Sequence, residues 1–280
     1  MRRRLIITAL LPFLLGSDTG FNGSMLKLDM GPTSSSDMVV GTKATPSCGD
    51  PPGSPHVFLL ADDLAQGEST AVTGWTGTGS GAISLSQDTG SIQPLYRTAG
   101  VNGLPSVQFD GVDDYLGTSG GFNLPPGAGD GMSMWVVLLR AGASSGDGDF
   151  ISTADSYGAG GGTWCHWYAD SSSERPESDC ASSGGDVAPG SGGAIPLGSA
   201  SLYYFESKAS TGAEVELDGA SVGTNTGANA IGSPTDNVFL GSWAFGAFQG
   251  HISAVLVYDY QEVSKADVET WATCRYGISI

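Results

Sequence analysis

Between His56 and Asp259 the chain is a succession of short apolar runs, each closed by glycine, serine, asparagine or aspartate. The runs include HVFLLADDL from His56, GAISLSQ around Ile83 and Leu85, LPSVQFDG with Val107 and Phe109, and MSMWVVLLRA from Met132 to Ala141. DFISTAD, TWCHWYADS, SLYYFESKAS, AEVELDG, DNVFLGSW and GHISAVLVYDY follow. Runs of four to ten residues are strand-length, and alternation of apolar and polar positions marks strands with one buried face. The Met132–Ala141 run is almost continuously apolar, which predicts a central strand buried on both faces. Glycine supplies 44 of the 280 residues. It tolerates the positive φ angles of tight turns, as asparagine does more weakly. Asp218-Gly219 in LDGASVG is such a hairpin signal.

One stretch has the period of a helix. In SKADVETWATCRYG, Ser264 stands as N-cap with Asp267 three residues on, approximating a capping box. Val268, Trp271 and Ala272 share a face, and Gly277 is placed to end the helix. The expected architecture is all-β: some ten to twelve strands stacked as two antiparallel sheets, with one short C-terminal helix. No period of repeat length is visible, which excludes a propeller or solenoid.

Three regions are expected. Residues 1–30 hold a basic start and an apolar run from Leu5 to Leu15, residues 31–55 are a Pro/Ser/Gly-rich linker, and residues 56–280 form the β-sandwich. The first region reads either as a secretory signal or as an apolar arm that anchors the chain in a larger assembly. The run is too short for a membrane span. Net charge is −18 with only 11 Lys and Arg, so a grip on nucleic acid through phosphates is not expected. The four cysteines contain no C-x-x-C pair, which argues against zinc or dithiol redox chemistry. Cys165 and Cys180 flank one hairpin or loop, and Cys48 and Cys274 lie at the two ends of the domain. Pairs 165–180 and 48–274 fit an oxidising location, and four buried thiols are the alternative.

VNGLPSVQFDGVDDYL, the hairpin AEVELDGASVG and the closing FQGHISAVLVYDYQEVSKADVETWATCRYGI resemble the concanavalin A-like lectin/glucanase superfamily, in its laminin-G-like or pentraxin-like form. The resemblance covers roughly Pro55 to Ile280 and implies a jelly-roll sandwich, as found outside cells or on phage particles. Some glucanases of that fold carry Glu-x-Asp-x-x-Glu on one strand. Here the nearest match is Glu216, Asp218 and then Ser221. The missing carboxylate removes a residue that retaining hydrolysis needs, and an exposed hairpin face is expected there. Asp113 and Asp114 are expected to begin a strand, where neighbours point to opposite faces and do not converge on one substrate atom, with a calcium or ligand contact as the alternative. G-x-S-x-G occurs at Gly142–Gly146 and Gly219–Gly223, but neither precedes a helix, as a nucleophile elbow requires.

Asp147, Asp149 and Asp155 in GDGDFISTAD are candidate calcium ligands, because calcium takes several oxygens from such loops and many members of the resembled group bind it. Trp164, His166 and Tyr168 share one strand face, with Cys165 and Trp167 on the other. With Trp243 in a Gly-rich loop they are candidates for a glycan-stacking platform, core packing being the alternative. The resulting expectation is a non-enzymatic structural or adhesion module on a phage-like particle. It would be oligomeric, joined to other capsid or tail subunits through the arm, and able to bind host polysaccharide. An exported lectin-like protein, secreted or periplasmic, is the alternative, and a glycoside-cleaving enzyme the least supported.

Overall fold

The computed structural model describes residues 48–118, 131–143, 145–154, 164–180, 193–208, 212–225, 237–243, 246–259 and 263–280. In chain order the first strands are β1 (Val57–Leu60), β2 (Gly74–Thr76), β3 (Ser84–Ser86), β4 (Leu95–Val101), β5 (Leu104–Asp110) and β6 (Leu116–Gly117). Then come β7 (Met132–Arg140), β8 (Ser145–Gly146), β9 (Gly148–Ala154), β10 (Trp164–Ala169), β11 (Pro176–Cys180) and β12 (Ala200–Lys208). The last are β13 (Gly212–Leu217), β14 (Ala220–Asn225), β15 (Asn237–Leu240), β16 (Ser242–Trp243), β17 (Gly246–Ala247) and β18 (Gln249–Asp259), followed by helix α1 (Lys265–Tyr276).

The expected all-β sandwich is what forms. One sheet runs β14-β13-β12-β7-β18-β5-β4, with β1 also paired to β18, and the other runs β11-β10-β9-β15-β6-β3-β2. A small third sheet joins β16, β17 and β8. The ladders within the two large sheets are antiparallel, as hairpin-rich chains without crossover helices require.

Strand alternation fixes the layers. From β7, Met134, Val136 and Leu138 point between the sheets and meet Trp167, Phe150 and Leu240 of the opposite sheet in the main core. The intervening Trp135 and Val137 point the other way and join Leu256 and Tyr258 under Val268, Trp271 and Tyr276 of α1. The Met132–Arg140 run is therefore buried on both faces, as its composition predicts. Ser264 does occupy the N-cap, but no side-chain hydrogen bond caps the helix, so the expected capping box is absent. The Ser264 carbonyl instead accepts from the Asp267 amide at 3.0 Å. Gly277, at φ 66°, closes the other end. Asp218 and Gly219 turn the β13–β14 hairpin with φ of 50° and 75°, as the dipeptide signals.

The chain's ends are tied together. Cys48 and Cys274 form a disulfide. Beside it, Trp271 Nε1 donates to the Gly49 carbonyl at 3.4 Å, and Tyr258 donates to the Pro52 carbonyl at 2.8 Å. The Cys48–Pro55 part of the expected linker thus lies on the sandwich. The rest of that linker and the apolar segment 1–30 lie outside the described residues, as does the expected arm. Among the described residues no helix is long and apolar enough to cross a membrane.

Candidate functional site

The two sheets have four faces. Two make the main core, and α1 covers the outer face of the β12-β7-β18 sheet. On the remaining face, the outer side of β9, β10 and β11, the chain places a cluster of ionisable groups. Cys165 and Trp167 of β10 point into the core, which turns His166 and Tyr168 outward. Pairing of β10 with β11 sets Asp179 opposite His166 and Glu177 opposite Tyr168. Pairing with β9 sets Ser152 opposite His166 and Asp149 opposite Tyr168.

His166 Nδ1 lies 2.8 Å from Asp149 Oδ1, and Nε2 lies 3.6 Å from Asp179 Oδ2. The imidazole stacks on the Tyr168 ring with centroids 4.2 Å apart, and the Tyr168 hydroxyl donates to Glu177 at 2.9 Å. Only 3 % of the His166 side chain is exposed, against 28 % of Asp179, so the cluster opens at the β11 edge. Burial disfavours the charged imidazole, but the carboxylates of Asp149 and Asp179 outweigh it and raise its pKa to about 9. Burial raises Asp149 to about 6, with His166 holding it back. At neutral pH the pair is an ion pair, and His166 donates a proton rather than accepting one. Burial also raises the pKa of Tyr168, with the Glu177 charge adding to it. Two buried acceptors on this face, Asp149 Oδ2 and Ser152 Oγ, have no hydrogen-bond partner among the described residues.

The expected site residues divide accordingly. His166 and Tyr168 do share a face, but as a buried, stacked pair, and neither offers the open ring that sugar stacking needs. The side chains of Trp164 and Trp243 lie outside the described residues. Of the calcium candidates, Asp155 lies outside them as well. Asp149 is engaged by His166, and Asp147 accepts from the Ser171 amide at 3.1 Å. Among the described residues, the three carboxylates that come within 4.8 Å of one another are instead those of Asp110, Asp113 and Asp114. Asp113 and Asp114 therefore do converge, contrary to the strand argument, because the strand begins only at Leu116. They lie in a loop turned by Gly111 (φ 79°), where Asp110 Oδ1 accepts from the Val112 and Asp113 amides. Burial and the neighbouring Asp110 charge raise the pKa of Asp114 to about 6.

Glu216 is likewise not on an exposed hairpin face. It is 3 % exposed and forms an ion pair with Lys265 at the start of α1, whose ammonium also sits over the Tyr204 ring. A serine–histidine contact exists elsewhere, Ser106 Oγ to His251 Nδ1 at 3.0 Å. Ser106 is 0 % exposed, and a Cβ on Gly100 would stand 1.8 Å from its Oγ, so the backbone of β4 seals it from any substrate. Sequence reasoning finds Cys165, whose sulfur is disulfide-bonded and whose ladder partner is Cys180. It misses Asp179 and Glu177. The signal for both is the Cys165–Cys180 pair: an antiparallel ladder in register at that pair sets Asp179 across from His166 and Glu177 across from Tyr168.

No protein-family model matches the chain, and no curated protein matches it. Solved structures do. Domain 4 of an extracellular GH43 arabinanase from Geobacillus stearothermophilus, in complex with arabinotriose, aligns with 79 % of this chain and 98 % of its own length, at 14 % identity and a TM-score of 0.51. The sialidase of Trypanosoma rangeli, in complex with the inhibitor DANA, aligns with 78 % of this chain at 10 % identity and a TM-score of 0.49. The match spans only 32 % of that sialidase chain. At such identities the likeness is one of fold. The expectation of a phage-particle protein is corrected by the first of these matches, which is to a domain of a carbohydrate-active enzyme. The virion location and the capsid or tail partners inferred with it are withdrawn.

Proposed function

We propose that residues 56–280 form a carbohydrate-binding jelly-roll sandwich of the concanavalin A-like kind, and that neutral glycans bind at the β9-β10-β11 face. The observation that carries this reading is the cluster around His166. It presents the carboxylates of Glu177 and Asp179 at the open β11 edge, beside the buried ion pair of His166 and Asp149. Such a face suits a ligand rich in hydroxyl donors. Its charge selects among sugars. Asp147, Asp149, Glu177 and Asp179 surround a single imidazolium, so a carboxylated sugar would meet net repulsion and a neutral one would not. The arabinotriose held by the arabinanase domain of like fold supports the same ligand class. A binding role is favoured over hydrolysis because the candidate acids are already engaged: Glu177 by Tyr168, Asp149 by His166 and Glu216 by Lys265. The disulfide between Cys48 and Cys274 supports an oxidising, extracytoplasmic setting.

The test is calorimetric titration of the full chain with arabino-oligosaccharides and a panel of neutral and sialylated oligosaccharides. Saturable binding of a neutral member is expected, weakened about tenfold or more by Asp179→Ala, since a hydrogen bond to a charged group carries that much. Binding confined to sialylated members, or none at all, would overturn the reading.

A further inference from the structure

A second site lies away from the β9-β10-β11 face and shares no residue with it. Where the chain enters the sandwich, the Asp50–Pro55 segment and β1 enclose an open cavity of about 580 Å³. Its lining combines the apolar Phe58 and Leu60 with Asp50, Asp63, Ser54 and Ser80. We propose that this cavity binds a small organic cation, with the Phe58 ring beneath the cationic head and the Asp50 and Asp63 carboxylates beside it.

Three observations support the assignment. First, the cavity is built from fixed parts. Phe58 packs edge-on against Trp271, with centroids 6.5 Å apart. The opposite wall is held by the Cys48–Cys274 disulfide and by the hydrogen bonds of Gly49 and Pro52 to Trp271 and Tyr258. Second, its carboxylate charge is only partly compensated. Asp50 and Asp63 form no ion pair among the described residues, and the nearby Arg275 is committed to Asp62 at 3.0 Å. Burial, then Asp62, then Asp50 all raise the pKa of Asp63, against the opposing pull of Arg275. A bound cation relieves that crowding. Third, the combination of an aromatic ring with flanking carboxylates is what recognises alkylammonium groups, which need a π-face as well as a counter-charge. A bare metal ion would leave Phe58 and Leu60 unused, and a neutral apolar molecule would leave both carboxylates unmatched.

The experiment titrates the full chain with tetramethylammonium chloride and, separately, with tert-butanol, its neutral near-isostere, at constant ionic strength set by sodium chloride. Proton NMR of the Phe58 ring and calorimetry report binding. Tetramethylammonium is expected to saturate and to shift the Phe58 resonances, with tert-butanol weaker by about tenfold or more. Asp63→Asn and Asp50→Asn, both at exposed positions, should each weaken it about fivefold. Equal response to tert-butanol would overturn the proposal in favour of a plain apolar pocket. Unchanged binding in the Asp50→Asn/Asp63→Asn double variant, or full competition by sodium at matched ionic strength, would overturn it too. Failure here leaves glycan binding at His166 untouched, because the two sites are read by different probes and variants.

Discussion

Removal of the Cys48–Cys274 disulfide should be among the most damaging changes the molecule can suffer without a change to its core. The bridge closes a loop with a sequence separation of 226 residues, for which loop-closure entropy gives about 5 kcal/mol at 25 °C. Cys274 is exposed and Cys48 only half-buried, so replacement by serine removes little packing. The loss therefore isolates the cross-link. Because denatured chains are more compact than the entropy model assumes, a loss of about 3–5 kcal/mol is expected, or a fall in Tm of about 10–15 °C for a domain of this size. The assay is urea unfolding of the Cys48→Ser/Cys274→Ser double variant beside the parent, followed by tryptophan fluorescence and far-UV circular dichroism. Replacing both cysteines leaves no thiol at these positions to exchange with the bridge at Cys165. A loss below about 1 kcal/mol with an unchanged m-value would refute the reasoning. It would mean that the denatured chain keeps its ends close without the bridge and gains little freedom when the bridge goes.

Stability should also depend on pH through His166. Its folded pKa is raised from 6.5 to about 9, so its contribution is complete below 6.5 and is lost as pH rises toward 9. The urea midpoint should fall across that window, and His166→Gln should flatten the fall; an equal slope in the variant would assign it elsewhere. Lys265→Met should destabilise by about 1–2 kcal/mol at pH 7, because it leaves the buried Glu216 carboxylate without its counter-charge. Burial already raises the pKa of Glu216, and the variant should raise it further and so recover stability as pH falls, measured by urea midpoints at pH 5 and 7. Gly241→Ala should cost about 2–3 kcal/mol, since at φ 90° its Cβ would stand 2.0 Å from the ring of buried Phe109. Gly103→Ala, at φ 83° with nothing within 4 Å, should cost about 1 kcal/mol, and equal costs at the two sites would refute the steric part of the argument.

What the sequence makes legible is what neighbours in the chain decide. The two-faced burial of Met132–Arg140, the Asp218-Gly219 turn and the helix ended by Gly277 all follow from local pattern, and all are found. What it leaves obscure depends on partners far away in the chain. Glu216 sits in a hairpin whose alternation reads as solvent-facing, yet α1 arrives from about fifty residues downstream and brings Lys265 onto it. Asp113 and Asp114 are kept apart by an alternation rule that holds only inside a strand, and the ladder starts at Leu116. The candidate site shows the same division. The shared face of His166 and Tyr168 is readable from period two, whereas the carboxylates that make it an ion-pair cluster, Asp149 and Asp179, are brought beside His166 by strand pairing.

The placement of that cluster follows from how the sandwich disposes of its apolar surface. A two-sheet sandwich has two outer faces to protect from aggregation or put to use. Here α1 contributes Val268, Trp271 and Tyr276 to cover one of them, and Trp135 and Tyr204 on that face are apolar to match. Among the described residues no helix covers the other face. Its residues at β9, β10 and β11 are polar and ionisable, although their strands are as deeply set as any. Burying Asp149 and His166 against each other is a weak route to stability, since a well-packed apolar pair would serve as well. Retaining them sets an imidazolium beside the Asp179 carboxylate at the open β11 edge, where a ligand can reach it. Asp149→Leu/His166→Leu therefore separates the two roles. A structural pair predicts stability that is unchanged or improved with glycan binding intact; a binding face predicts stability that is unchanged or improved with glycan binding lost.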